Sequence, residues 1–183
     1  MHNMISRRRV LGTGGVTAAA VIAGLSLPGG SAQAASSQNP TQQQILAAFE
    51  AHVQAETVQR SVSATMATVA ANPFWEFEPI GYQVNGTPGV TEMYARLIAN
   101  FFPLFVGATQ QGMWLSDNGL VVEDLLTVKF PNGTQLTTPV TSIFVVDGNL
   151  IASERVYMGD GLSELVVDSL GPRFADIPGA TVA

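Results

Sequence analysis

The stretch Leu136–Met158, LTTPVTSIFVVDGNLIASERVYM, holds two β-rich runs on either side of Asp147-Gly148-Asn149. Val, Ile, Thr and Phe suit a pleated, half-buried surface, and Asp-Gly-Asn supplies turn chemistry. The stretch therefore reads as a hairpin of Leu136–Val146 and Leu150–Met158. Upstream, Ala108–Leu115 and Leu120–Phe130 are strand-like as well. Ser116-Asp117-Asn118-Gly119 and Pro131-Asn132-Gly133 separate these runs with the same punctuation. Strands joined by short turns pair antiparallel, because a parallel crossover needs a dozen residues or more.

Before these strands the pattern is helical. Thr41 with Gln44 three residues on suggests a capping box. From Gln42 to about Ala71 there is no Gly or Pro, and Ile45, Phe49, His52, Val53, Val62, Met66 and Val69 recur at helical spacing. The spacing predicts one long amphipathic helix, or two with a bend, stopped at Asn72-Pro73. Phe74–Val84 carries aromatic and β-branched residues before an Asn85-Gly86 turn. Pro88–Phe102 is a second helix, with Val90, Met93, Tyr94, Leu97, Ile98 and Phe101 on its apolar side. Ser163–Leu170 is a last short helix, and Gly171 onward reads as a tail. Helices first and hairpins after give an α+β fold, an antiparallel sheet with helices on one face.

The composition fits one domain that buries a core: 46% of the 183 residues are hydrophobic and 12% charged. The absence of Cys removes disulfides, thiolate metal sites and Cys nucleophiles. The net charge is -6, and three of the eight cationic residues are Arg7, Arg8 and Arg9. No acid precedes Glu50, so the remainder is more acidic still. An acidic body with scattered cations argues against nucleic acid and anionic membrane surfaces as partners.

The N-terminus reads as an export segment. Ser6-Arg7-Arg8-Arg9-Val10-Leu11 resembles a twin-arginine motif. A weakly apolar run follows from Val10 to Leu27, then Pro28-Gly29-Gly30, then Ala32-Gln33-Ala34 with small residues where signal peptidase cuts. The expected organisation is a signal peptide over 1–34, a linker over 35–40, a domain over 41–170 and a tail over 171–183. The partners it implies are the twin-arginine translocon and signal peptidase, and the location is periplasmic or secreted. The alternative is an uncleaved anchor, since the run is about long enough to span a bilayer.

Three stretches resemble the SnoaL-like proteins of the nuclear transport factor 2-like superfamily, which includes ketosteroid isomerases and polyketide cyclases. They are Pro79-Ile80-Gly81-Tyr82 leading to Gly86 and Val90; Leu120-Val121-Val122-Glu123; and Pro139-Val140-Thr141 through Phe144 into Asp147-Gly148-Asn149 and Ser153-Glu154-Arg155-Val156-Tyr157. The resemblance covers roughly residues 41 to 160. It implies a curved sheet wrapped against helices as a cone, a small hydrophobic ligand within, no cofactor, and pairing of two copies through the sheet. Fold alone does not choose among reactions. Isomerisation, cyclisation or hydration by proton transfer is one expectation, and a non-catalytic binding or dimeric interaction module is the alternative. Two departures matter. Gly159 stands where the family's closing strand often carries an acid, with Asp160 one later. Val156 occupies the Asp position of the related epoxide hydrolases, which disfavours that activity.

The candidate catalytic residues are Asp124, Glu154, His52 and Tyr82. Asp124 shares a strand face with Leu120, Val122, Leu126, Val128 and Phe130. A carboxyl on an apolar face must be paired, protonated or near an opening, and desolvation would raise its pKa as a general base requires. Glu154 shares a face with Val156 and Met158, which lines the cavity if the family's geometry holds; an outer ion-pair row with Arg155 is the alternative. His52, the single His after the export segment, is a pocket acid or base or else a satisfied core histidine. Tyr82 could polarise a carbonyl. Trp114 and Tyr157 are the candidate ligand contacts, with ordinary packing as the competing reading.

Overall fold

The computed structural model describes residues 40–182; the expected signal peptide lies outside them. Helix α1 spans Pro40–Val53 and runs directly into a π-helical turn at Gln54–Gln59. Pro40 occupies the first turn, where a missing N–H is tolerated, and Thr41 lies inside the helix rather than capping it. The expected bend falls at Arg60, a non-glycine residue at φ 50°. Ser61 then caps α2, Val62–Met66, by accepting from the Ala64 N–H. Next come β1 (Val69–Glu78), β2 (Tyr82–Asn85), α3 (Thr87–Asn100), β3 (Phe105–Leu115), β4 (Gly119–Lys129), β5 (Gln135–Asp147) and β6 (Leu150–Met158). Helix α4 (Asp160–Leu170) and a short β7 (Ala180–Val182) complete the chain.

One curved, unclosed sheet of seven strands runs β3-β4-β5-β6-β1-β2-β7. The four late strands form the expected meander. The pairing of β1 with β6 is parallel, whereas every other neighbouring pair is antiparallel. The helical reading to Ala71 is thus too long. Strand β1 starts at Val69 and carries Asn72-Pro73 through an irregular register before Phe74. A proline in the ladder removes a donor, and the irregularity accommodates it.

The inner face of the sheet carries Leu120, Val122, Val140, Phe144, Trp75 and Phe77, all buried. Helix α1 covers it through Phe49, whose ring meets Phe144 edge-on with centroids 5.2 Å apart. Helix α3 covers it through Tyr94, which meets Trp75 at 5.7 Å. Helix α4 adds Leu162, Leu165, Val166 and Leu170, and its C-terminal end is tied to α3 by Arg96 and Asn100 donating to the Leu170 and Ser169 carbonyls.

The tail is integral to the fold. The Phe174 ring stacks on Tyr82, with centroids 3.9 Å apart and planes 8° from parallel. Ile177 is buried, and β7 extends the sheet beside β2. This crossing needs Gly89, because a Cβ there would lie 2.0 Å from the Pro178 carbonyl oxygen. Phe174→Ala should cost about 3–4 kcal/mol of stability by urea unfolding, the usual loss for a buried Phe. A loss under ~1 kcal/mol would show that the tail packs only loosely.

Candidate functional site

The deepest polar groups of the domain meet between α1, α3 and the inner face of the sheet. His52 projects from the last turn of α1 and is fully buried. Its Nδ1 lies 2.7 Å from the Thr68 hydroxyl and its Nε2 2.9 Å from the Tyr94 hydroxyl. Glu154 stands on β6, only 7% exposed, and its Oε2 accepts from the Trp75 indole N–H at 2.8 Å. Trp75 faces Glu154 because the parallel register of β1 with β6 sets them opposite each other. Glu56 follows His52 by four residues, so both project from one side of the helical segment. The Glu56 Oε2 lies 3.9 Å from His52 Nε2, with 17% of the Glu56 side chain exposed.

Burial decides the charge states. It lowers the His52 pKa to about 4, so the imidazole is neutral at pH 7. It raises Glu154 to about 7, against the opposing hydrogen bonds from Ser142 and Trp75. Burial and then the neighbouring Glu154 charge push the Glu56 pKa well above the ordinary glutamate value. Because His52 is neutral, its approach to Glu56 is not an ion pair. Burial, then the Glu56 and Glu154 carboxyls, also hold the Tyr94 phenol protonated, with Trp75 opposing. Glu154 is thus a buried carboxyl whose proton exchanges near neutrality. Among the described residues, every buried side-chain N and O atom has a hydrogen-bond partner.

Of the residues expected from the sequence, the structure brings together His52 and Glu154. Asp124 is on the inner face of β4, half-buried, and burial raises its pKa. It pairs with Val140, however, whereas Glu154 pairs with Phe144. Four residues of strand separate those rows by about 13 Å. Tyr82 shares the inner side of β2 with Val84 but is stacked on Phe174, outside the hydrogen-bonded cluster. Trp114 and Tyr157 are the candidate ligand contacts. They stand on the outer face, 55% and 42% exposed. The pleat puts them there: Trp114 pairs with Val121, and Tyr157 alternates with the inward Val156 and Met158. Arg155 also lies on the outer face, but it pairs with Glu76 rather than Glu154, at 2.7 Å.

Tyr94, Trp75, Glu56, Thr68 and Ser142 escaped the sequence reading. Tyr94 and Trp75 look like core aromatics. The one local signal was Glu56 at four residues from His52 on a helix. Among the described residues, no three His, Cys, Asp or Glu side chains converge to hold a metal ion. A separate open groove of about 370 Å³ lies between Pro79-Ile80 and α4, with Asp160, Glu164 and Asp168 at its border.

No protein-family model matches the sequence, and no curated protein matches it. Solved structures do match the fold. A SnoaL-like protein from a Jannaschia species is 16% identical, over 74% of this chain and 98% of that one, with a TM-score of 0.57. A protein from Silicibacter pomeroyi with a cystatin-like fold is 14% identical, over 75% and 98%, with a TM-score of 0.56. The fold is nuclear transport factor 2-like. A protein of that description from Cytophaga hutchinsonii is 14% identical, over 63% of this chain and 99% of its own, with a TM-score of 0.52. At these identities the likeness establishes the architecture, and the chemistry rests on the side chains of the cluster.

The raised Glu154 pKa has a measurable consequence. Its folded value of about 7 lies above the unfolded 4.5, so the folded chain keeps a proton that the unfolded chain has lost. That stabilisation is full below pH 4.5 and is lost as pH rises through 7. His52 runs the other way: its contribution is full above pH 6.5 and is lost as pH falls through about 4. Subtracting the unfolding curves of a Glu154→Gln variant isolates the carboxyl. Between pH 4.5 and 7.5 the difference should shift in favour of Gln by on the order of 3 kcal/mol. A pH-independent difference would mean an unperturbed carboxyl.

Proposed function

We propose that the chain is exported and that its domain binds a small, mostly apolar molecule against the inner face of the sheet, where Glu154 exchanges a proton with it. The observation that carries this reading is the Glu154 carboxyl, buried on an apolar face and held by Trp75 at 2.8 Å. A group with a pKa near the working pH is suited to general acid–base chemistry. Ionised Glu154 is the base for a C–H next to a carbonyl. The protonated Glu154 then returns the proton to another carbon, so an isomerisation is balanced without cofactor and the carboxylate is regenerated. The fold neighbours support a ligand-binding or isomerase- or cyclase-like domain.

A second reading, a binding module without turnover, draws on the completeness of the hydrogen bonding in the cluster. Solvent-deuterium incorporation separates the two. A panel of small apolar ketones is incubated with the protein in D2O. The catalytic reading expects exchange at the α-carbon, reduced about 10²–10⁴-fold by Glu154→Gln. Binding without exchange by the unaltered protein would leave the module reading standing.

Export is supported by Ser6-Arg7-Arg8-Arg9 and Ala32-Gln33-Ala34. Material recovered outside the cytoplasm should begin at Ala35, and an Arg7→Lys/Arg8→Lys double variant should accumulate as precursor inside. An intact Met1 on the exported protein would contradict cleavage.

A further inference from the structure

We propose that Thr68 is a positioning residue whose hydroxyl holds His52 as the Nδ1–H tautomer, which directs the Tyr94 hydroxyl to His52 Nε2. The direction of every hydrogen bond follows from counting protons. The Thr68 hydroxyl has one proton, and it goes to the Thr65 carbonyl, 2.6 Å away, which can only accept. The oxygen of Thr68 is therefore the acceptor for His52 Nδ1 at 2.7 Å. A neutral imidazole carries a single N–H. With that proton on Nδ1, the Nε2 atom has only a lone pair, and the Tyr94 hydroxyl at 2.9 Å donates to it. The Glu56 Oε2 at 3.9 Å is too distant to do so.

Thr68 is built to hold this position. It occupies the turn between α2 and β1, and its backbone is fastened on both sides. Its N–H donates to the Thr65 carbonyl at 3.0 Å, and its carbonyl accepts from the Ile151 N–H at 2.9 Å. The Thr65 side chain is in turn tied to the Ser61 carbonyl at 2.9 Å. The chain of donors thus runs in one direction: Tyr94 to His52 to Thr68 to the Thr65 carbonyl. The groups facing it are Glu56 from the π-helical turn, Glu154 from β6 and Trp75 from β1.

The test is ¹⁵N NMR of the ring nitrogens near pH 7 in ¹⁵N-histidine-labelled protein, with His2 replaced by Gln so that one signal set remains. The expected result is a protonated Nδ1 and a bare Nε2 in His52. Thr68→Val should move the proton to Nε2, and Thr68→Ser should restore it. A protonated Nε2 in the unaltered protein would overturn the assignment, as would an unchanged tautomer in Thr68→Val. If Thr68→Val does not fold, the tautomers of the unaltered protein and of Thr68→Ser decide.

Discussion

The rest of the domain is organised around one burial, the Glu154 carboxyl beneath the inner face of the sheet. An unpaired carboxylate there would cost several kcal/mol. The fold answers with the Trp75 indole N–H as donor and with a proton that leaves only near pH 7. Trp75 reaches the carboxyl because β1 lies parallel to β6 in one particular register. A slip of one residue would turn Trp75 to the other face. The irregularity between Val69 and Phe74 is therefore part of what sets the site, since it fixes which residues of β1 point inward.

The helices complete the constraint from above. The end of α1 brings His52 into the core, and the π-helical turn that follows holds Glu56 beside it. Two carboxyls so placed do not both ionise easily. Burial raises both, Glu154 to about 7 and Glu56 well above the ordinary glutamate value. His52 stays uncharged, and it links the Tyr94 and Thr68 hydroxyls rather than acting as a counter-ion. The cluster is set among Trp75, Tyr94, Phe144 and Phe49.

Much of the architecture was legible from local chemistry. Asp147-Gly148-Asn149 and Pro131-Asn132-Gly133 mark real turns, and α3 lies within one or two residues of its expected limits. Strand β1 was harder, because Val69, Ala70 and Ala71 continue a helical pattern and their strand character comes from pairing with β6. The tail escaped for the same reason: Phe174 and β7 acquire structure only by meeting Tyr82 and β2. In the site, His52 and Glu154 were visible as polar residues at apolar positions. Their partners were not, since Trp75 and Glu154 are 79 residues apart and Tyr94 is indistinguishable from core in a helical pattern. Trp114 shows the converse: a large aromatic offered as a ligand contact, which the pleat turns to the outer face.

The central claim is that one buried carboxyl changes its protonation near neutral pH. It is tested most directly by ¹³C NMR titration of glutamate side-chain carboxyls, with Glu154 assigned by its absence in Glu154→Gln. The expected result is a Glu154 midpoint at about 7. A Glu154 midpoint at the ordinary glutamate value of about 4.3 would contradict the account.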